Sequence, residues 1–232
     1  MIATDDEVIN HLNEEIKFIL NKKRDLSSFT ELVNTSYLTQ CNRRIIYRIS
    51  GTSIEENILY CNSLNELNNS LLKEKWIKLF ESIKYVEIIH RNELFADCNF
   101  NLSARMDIVK IGKKHVIFEV EQVNDEEFLS ANSDGPKRSS IVDIIAKMWL
   151  SEISHGVLIY DCISNYKIFH IKPYEPIIKS FCSKCSLLFD YKIKEKLPDR
   201  NYINDYSEEC KICEYKQLCW NLNNKKTGEN SA

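Results

Sequence analysis

Glycine and proline are scarce in this chain, five and four among 232 residues. So few breakers predict a helix-rich chain with little turn punctuation. No internal repeat and no low-complexity linker is present, which excludes solenoids and tethered arrays. Also missing is any apolar run of about 18 residues, the length a membrane-crossing helix needs. The opening "MIATDDEVINHLNEEIKFIL" is acidic and amphipathic, which excludes a secretory signal. The expectation is an intracellular, cytoplasmic protein without a membrane partner. Excess positive charge is absent too: the net charge is -3, so the chain as a whole does not announce a nucleic-acid binder, although a local basic patch stays open.

What the chain has is apolar content, 44%, and nine cysteines. The first is enough for one sizeable domain with an appendage. The second, in an intracellular protein, points away from disulfides and toward metal or cluster ligation.

Hydrophobic periodicity predicts helices over 6–22, 36–49 and 137–153, a long helix from Pro173, and a helical stretch over 63–83 in two segments. Strands are expected at 85–90, around 94–99, at 108–111 and 115–120 across a Gly112-Lys113-Lys114 turn, and at 156–162 and 166–171. Strands enclosed by helices predict an α/β domain with a mixed central sheet flanked by helices. The expected division is a single domain over 1–222, with a helical part at 1–84, a core at 85–195 and a cysteine segment at 196–222, followed by a disordered tail at 223–232.

"CKICEYKQLC" spaces Cys210, Cys213 and Cys219 as C-x2-C-x5-C, which lets thiolates reach one metal from a tight turn. Cys41, placed by the pattern within an early helix, is the leading fourth ligand, and its use would clasp the two ends of the domain. Cys182 and Cys185 offer a competing zinc site with Cys210 and Cys213, but they fall within the long helix. Cys61, Cys98 and Cys162 read as small core residues.

The second constellation is "RMDIVKIGKKHVIFEVEQV". Asp107 opens one strand; Glu119 and Glu121 close the next and share a face. Acids on strand ends can hold a divalent metal that activates water and neutralises a phosphate, and the Val120 carbonyl could add a ligand. The competing reading is a pair of edge charges facing solvent.

This hairpin, the helix and two strands after it, the early "SYLTQCNRRIIYRISG" and the late "ECKICEYKQLCW" together resemble the PD-(D/E)XK nuclease superfamily. More narrowly, they resemble its RecB-like exonucleases with an iron–sulfur cluster: the CRISPR-associated nuclease of that type, the AddB nuclease domain and phage-encoded relatives. The likeness spans residues 36–220 through four short motifs, of which the cysteine pattern is the most specific. It implies a restriction-endonuclease-like fold with an iron–sulfur closure between its N- and C-terminal parts. It implies a structural 4Fe-4S cluster on Cys41, Cys210, Cys213 and Cys219, Mg²⁺ or Mn²⁺ on Asp107 and Glu119, and DNA cleavage directed at single strands or ends. Recombination, repair or phage DNA processing is the implied setting, with other recombination or replication proteins as further partners.

The sequence departs from that family at one position. Where the family carries lysine, two residues after the glutamate, stands Glu121. Glu121 can serve directly as base or ligand. Alternatively the cation has migrated to Lys137 or Arg138 at the start of the next helix; Lys147 sits off the apolar face of that helix and fits less well. A third alternative is an inactive site on a DNA-binding or adaptor protein, and a fourth is a zinc-stapled protein unrelated to nucleases. The histidine that some cluster-bearing relatives place ahead of the first strand has no clear counterpart: Glu55 stands at the nearest offset, His90 lies closer to the strands, and His115 reads as a sheet residue. Arg43 and Arg44 are candidate phosphate contacts, Arg138 a further candidate DNA contact, and Tyr215 and Trp220 candidate base-stacking residues, against a bland reading as surface charge or cluster shielding.

Overall fold

Leu102–Ile111, an alternation of apolar and polar residues, forms the central strand β3 of a six-stranded sheet. The computed structural model of the chain describes residues 32–52, 56–162, 165–202 and 204–220, and the side chains of 56–66 are left aside. The predicted 6–22 helix, Glu55 and the predicted tail lie outside these residues. The other strands are β1 (Val33–Asn34), β2 (Val86–Asp97), β4 (Lys114–Gln122), β5 (Gly156–Cys162) and β6 (Asn165–Ile171). The helices are α1 (Asn42–Ile49), α2 (Glu56–Glu81), α3 (Asp125–Ser133), α4 (Arg138–Leu150), α5 (Glu175–Ile193), and two short ones, α6 (Glu208–Lys211) and α7 (Lys216–Trp220).

Strand order runs β1-β3-β4-β5-β6, with β2 along the other edge of β3. The β3–β4 and β5–β6 pairs are antiparallel; β4–β5 and β1–β3 are parallel, so the sheet is mixed as expected. Two helical layers cover it. On one face Trp76 and Ile77 of α2 pack on Val109, Val116, Phe118, Val120 and Ile159. On the other, Ile144, Ile145 and Met148 of α4 and Phe181, Cys185 and Leu188 of α5 pack against Met106, Ile108, Ile117 and Leu158. Alternation along each strand sorts the side chains between the two layers.

Several boundaries differ from the sequence expectation. The two strands expected at 85–90 and 94–99 are one bulged strand; its pairing slips between Ile88 and His90 and again between His90 and Glu93, with Asn92 at φ 49°. β3 begins at Leu102, so Asp107 lies within it instead of opening it. The stretch expected as two helical segments over 63–83 is one helix, α2, that ends at Glu81. The helix expected over 36–49 is a 3-10 turn at Thr35–Tyr37 followed by α1, which moves Cys41 from helix interior to N-cap. α3 was not expected; its signal is a capping box in which Asn124 and Glu127 satisfy each other's backbone N–H groups. Cys98 is exposed and not a core residue, whereas Cys162 is buried.

Candidate active site at the parting of two strands

The β3–β4 ladder ends at the Asp107–Phe118 pair. From Glu119 onward β4 follows β5, and the same edge of β3 is taken up by β1 at Leu102 and Ser103. Asp107 and Glu119 thus flank the point where two strands part, and side chains from both helical layers can meet there.

From α2 comes Lys73. Its ammonium donates to Asp107 Oδ2 at 3.0 Å and lies 3.1 Å from Glu119 Oε2. The other Asp107 oxygen, Oδ1, accepts the Asn92 N–H at 2.9 Å, a contact created by the β2 bulge. From α4 comes Lys147, whose ammonium donates to Glu119 Oε1 and pairs with Asp143 at 2.8 Å. Asp107 is 2% exposed and Lys147 5%. Charges so deeply placed persist only when paired. Burial alone would raise the Glu119 carboxyl, but Lys147 and Lys73 outweigh it and hold its pKa at about 2. Burial would lower both ammonium groups; the surrounding carboxylates outweigh it and raise them.

Glu121 lies two residues along the same face. Burial raises its carboxyl above the ordinary value, against a hydrogen bond from Ser140 and the charge of Lys137. Ser140, Asp143 and Lys147 form one polar stripe on an otherwise apolar α4, set opposite Glu119 and Glu121. Asp143 Oδ1 is buried with no hydrogen-bond partner. Four carboxylates here face the ammonium groups of Lys73 and Lys147, with the charge of Lys137 also acting on Glu121, so the set still carries one more negative than positive charge for a further cation to neutralise.

Two expectations are corrected here. Lys137 turns its ammonium onto Glu127, 2.6 Å away, and its backbone N–H donates to Tyr160 Oη; it caps α4, reaches Glu121 through its charge, and is not in contact with Asp107 or Glu119. Lys147 does reach Glu119. The helical-angle expectation failed because a lysine tether crosses from the flank of an apolar stripe to the strand beside it. A lone lysine inside "IIAKMW", four residues after an aspartate, was the available signal. Lys73 had none: in "LLKEKW" it reads as one more surface lysine. Arg138 is exposed beside Lys137. Val120 buries its side chain on the α2 face and pairs with Ile159, while His115 is an exposed partner of Lys110.

The cysteine segment docks on α1. Glu214 Oε2 accepts from Arg44 at 2.5 Å and Oε1 from Arg48; Tyr47 packs on Tyr215 with ring centroids 5.2 Å apart. Arg43 donates to the Pro198 carbonyl at 2.6 Å and lies 3.7 Å from Cys219 Sγ. Cys41, Cys210, Cys213 and Cys219 are free thiols along this seam. Burial raises the Cys213 thiol, and nearby Cys41 adds to it. Among the described residues, no three His, Cys, Asp or Glu side chains are already gathered around a point to hold a metal ion. Arg43 and Arg44 are engaged within the fold, and Tyr215 is buried. Trp220 is half-buried under Arg200, whose guanidinium carbon lies 4.5 Å from its ring centre.

No family model matches the chain. Among solved structures, SSO0001 superposes with a TM-score of 0.57 over 90% of this chain and 96% of its own, at 14% identity. The alkaline exonuclease LHK-Exo of Laribacter hongkongensis superposes at 0.52 over 71% of this chain and 89% of its own, at 12% identity, and its complex with dAMP at 0.54. The mixed sheet flanked by helices is therefore similar to an exonuclease fold. A curated relative, transcript termination protein A18 of Yaba-like disease virus, is 27% identical over 173 residues. The match takes in 60% of this chain, which spans about a third of that protein's length, 36%. No described helix is long and apolar enough to cross a membrane.

Proposed function

We propose that the chain is a metal-dependent DNA nuclease of the PD-(D/E)XK type, with its chemistry at the parting of β3 and β4. One observation carries this reading: on an exonuclease-like fold, Asp107 Oδ2 and Glu119 Oε2 lie 3.0 and 3.1 Å from a single cationic point. Two carboxylate oxygens converging on one cation fit a hard divalent ion, and the unpartnered Asp143 oxygen and surplus negative charge favour the same fit. Bound Mg²⁺ or Mn²⁺ would supply Lewis-acid activation of water and phosphate. Asp107 and Glu119 would hold it. Lys147 orients Glu119 and supplies the positive charge that the resemblance expects on the strand. Glu121, with its raised carboxyl, is the better base of the acidic set and takes the proton from the attacking water. A single domain carries both this site and the cysteine clasp.

The cysteine seam is part of the same proposal. Four thiols from the α1 N-cap, α6, the turn after it and α7 provide the donor chemistry of a 4Fe-4S cluster, with Arg43 beside Cys219 to offset thiolate charge. Protein purified without oxygen should be brown and contain iron; a colourless protein with one zinc would replace the cluster by a zinc staple. The test of activity is cleavage of single- and double-stranded DNA with Mg²⁺ or Mn²⁺. Glu119→Ala and Lys147→Met should each abolish it. Folded wild-type protein that binds DNA without cutting it would leave an adaptor on a nuclease fold.

A further inference from the structure

Lys73 and Lys147 both touch Glu119, but they are placed differently. Lys147 is walled in, its side chain 7% exposed and shared between Glu119 and Asp143. Lys73 is reached from solvent, its side chain 25% exposed, and it bridges carboxylates on two different strands. The remaining oxygens of those carboxylates are already engaged, Asp107 Oδ1 by the Asn92 N–H and Glu119 Oε1 by Lys147. Oδ2 and Oε2 are thus the pair left for a cation, and Lys73 stands between them.

We propose that Lys73 is the placeholder of the metal position, a tethered counter-ion that keeps Asp107 and Glu119 together without metal and swings out when a divalent ion enters. The proposal rests on the reading of this pair as a metal site. An ion bound to both oxygens at about 2.0–2.6 Å occupies the space where the ammonium now lies. Two cations cannot share it, because like charges at contact distance in a partly buried site repel strongly. Lys147 has no such exit, and it pairs with Glu119 Oε1 and Asp143 instead of the Oδ2–Oε2 pair, so it stays. α2 is held on the sheet independently: Trp76 Nε1 donates to buried Asp161 at 2.7 Å and Lys75 at 2.6 Å. Only the Lys73 side chain therefore needs to move.

The test uses the full chain without nucleic acid. Mn²⁺ binding is measured by calorimetry for wild type, Lys73→Met and Glu119→Ala. Lys73→Met should bind on the order of tenfold more tightly, because no resident cation has to leave, and Glu119→Ala should lose binding. In parallel, wild-type lysines are acetylated with and without saturating Mn²⁺ and located by mass spectrometry, which needs no variant to fold. Lys73 should label several-fold faster with Mn²⁺ while Lys147 stays protected. Unchanged Lys73 labelling, or Lys73→Met binding no tighter than wild type, overturns the placeholder; if Glu119→Ala still loses binding, the metal site stands without it. Mn²⁺ binding that is absent from wild type and both variants, or indifferent to Glu119→Ala, sinks the metal site and the placeholder with it.

Discussion

Replacing Lys147 with methionine removes one buried charge and keeps most of the side-chain volume, so its cost is electrostatic. Glu119 has an ordinary pKa of 4.5 and is held at about 2 in the fold. That difference corresponds to about 3 kcal/mol in favour of the folded carboxylate at neutral pH, shared between Lys147 and Lys73 and already net of burial. Without Lys147, burial acts on Glu119 with less opposition, and Asp143 loses its partner as well. The expected loss is about 3–4 kcal/mol, in the range for breaking one side of a buried ion pair. The sign with pH follows from the lowered carboxyl. The contribution is full above pH 4.5 and is lost as pH falls toward about 2. Urea unfolding of metal-free protein from pH 7 to pH 3 measures both effects. Wild type should lose stability steeply on that acid limb; Lys147→Met should start lower and fall less. DNA cleavage should drop on the order of a hundredfold or more. A variant within about 0.5 kcal/mol of wild type, with the same acid limb and full activity, would show that Lys147 has no part in holding Glu119 or in cleavage.

Trp76→Phe removes the indole donor to Asp161 and should cost about 1–3 kcal/mol in urea unfolding, because it leaves a buried carboxylate oxygen underbonded. Glu214→Gln should cost about 2 kcal/mol and make the cysteine segment the first site cut by trypsin, since both Arg44 and Arg48 lose their counter-charge; an unchanged cleavage pattern would mean that the seam is held by other contacts. Burial pushes the Cys185 thiol up to about 12, with Cys182 adding to it. Iodoacetamide at pH 8.5 should spare Cys185 until denaturant is added. Its contribution to stability is full below the ordinary thiol value of 9.0 and is lost as pH rises toward 12.

The sheet was legible because its signal is local. Val109, Val116, Phe118 and Val120 against Met106, Ile108 and Ile117 separate into two faces by simple alternation. The seam between α1 and the cysteine segment is made by the arginine–Glu214 and Tyr47–Tyr215 contacts, which the cysteine spacing in "CKICEYKQLC" does not signal. What stayed hidden was tertiary. Nothing in "LLKEKW" says that α2 crosses the strand ends so that Lys73 drops between Asp107 and Glu119. Nothing in the hairpin says that β4 leaves β3 at Phe118. The strand bulge that aims the Asn92 N–H at Asp107 is an irregularity in pairing, invisible to periodicity. The fold partners of Arg43, Arg44 and Tyr215 stayed hidden for a related reason: Pro198, Glu214 and Tyr47 lie far along the chain or on the docked helix.

The glutamate at position 121 gains sense from the lysine at position 147. A strand lysine two residues past the metal-binding glutamate places an ammonium beside the site from the sheet; here α4 brings one to Glu119 from above it, through Lys147. With that charge supplied, a second lysine on β4 would be redundant, and it would face an ammonium already close to its own carboxylates. Glu121, by contrast, sits opposite Ser140 with its carboxyl raised by burial, which suits proton acceptance. Changing Glu121 to lysine restores in sequence the pattern that the resemblance expects, but adds an ammonium beside Lys73 and Lys147, removes the proposed base and lowers the negative charge that attracts a divalent ion. Glu121→Lys should therefore weaken Mn²⁺ binding and reduce kcat/KM for DNA cleavage, by about tenfold or more. Activity that rises in Glu121→Lys, or appears there from an inactive wild type, would place the functional cation on the strand and leave Lys147 a purely structural partner of Glu119.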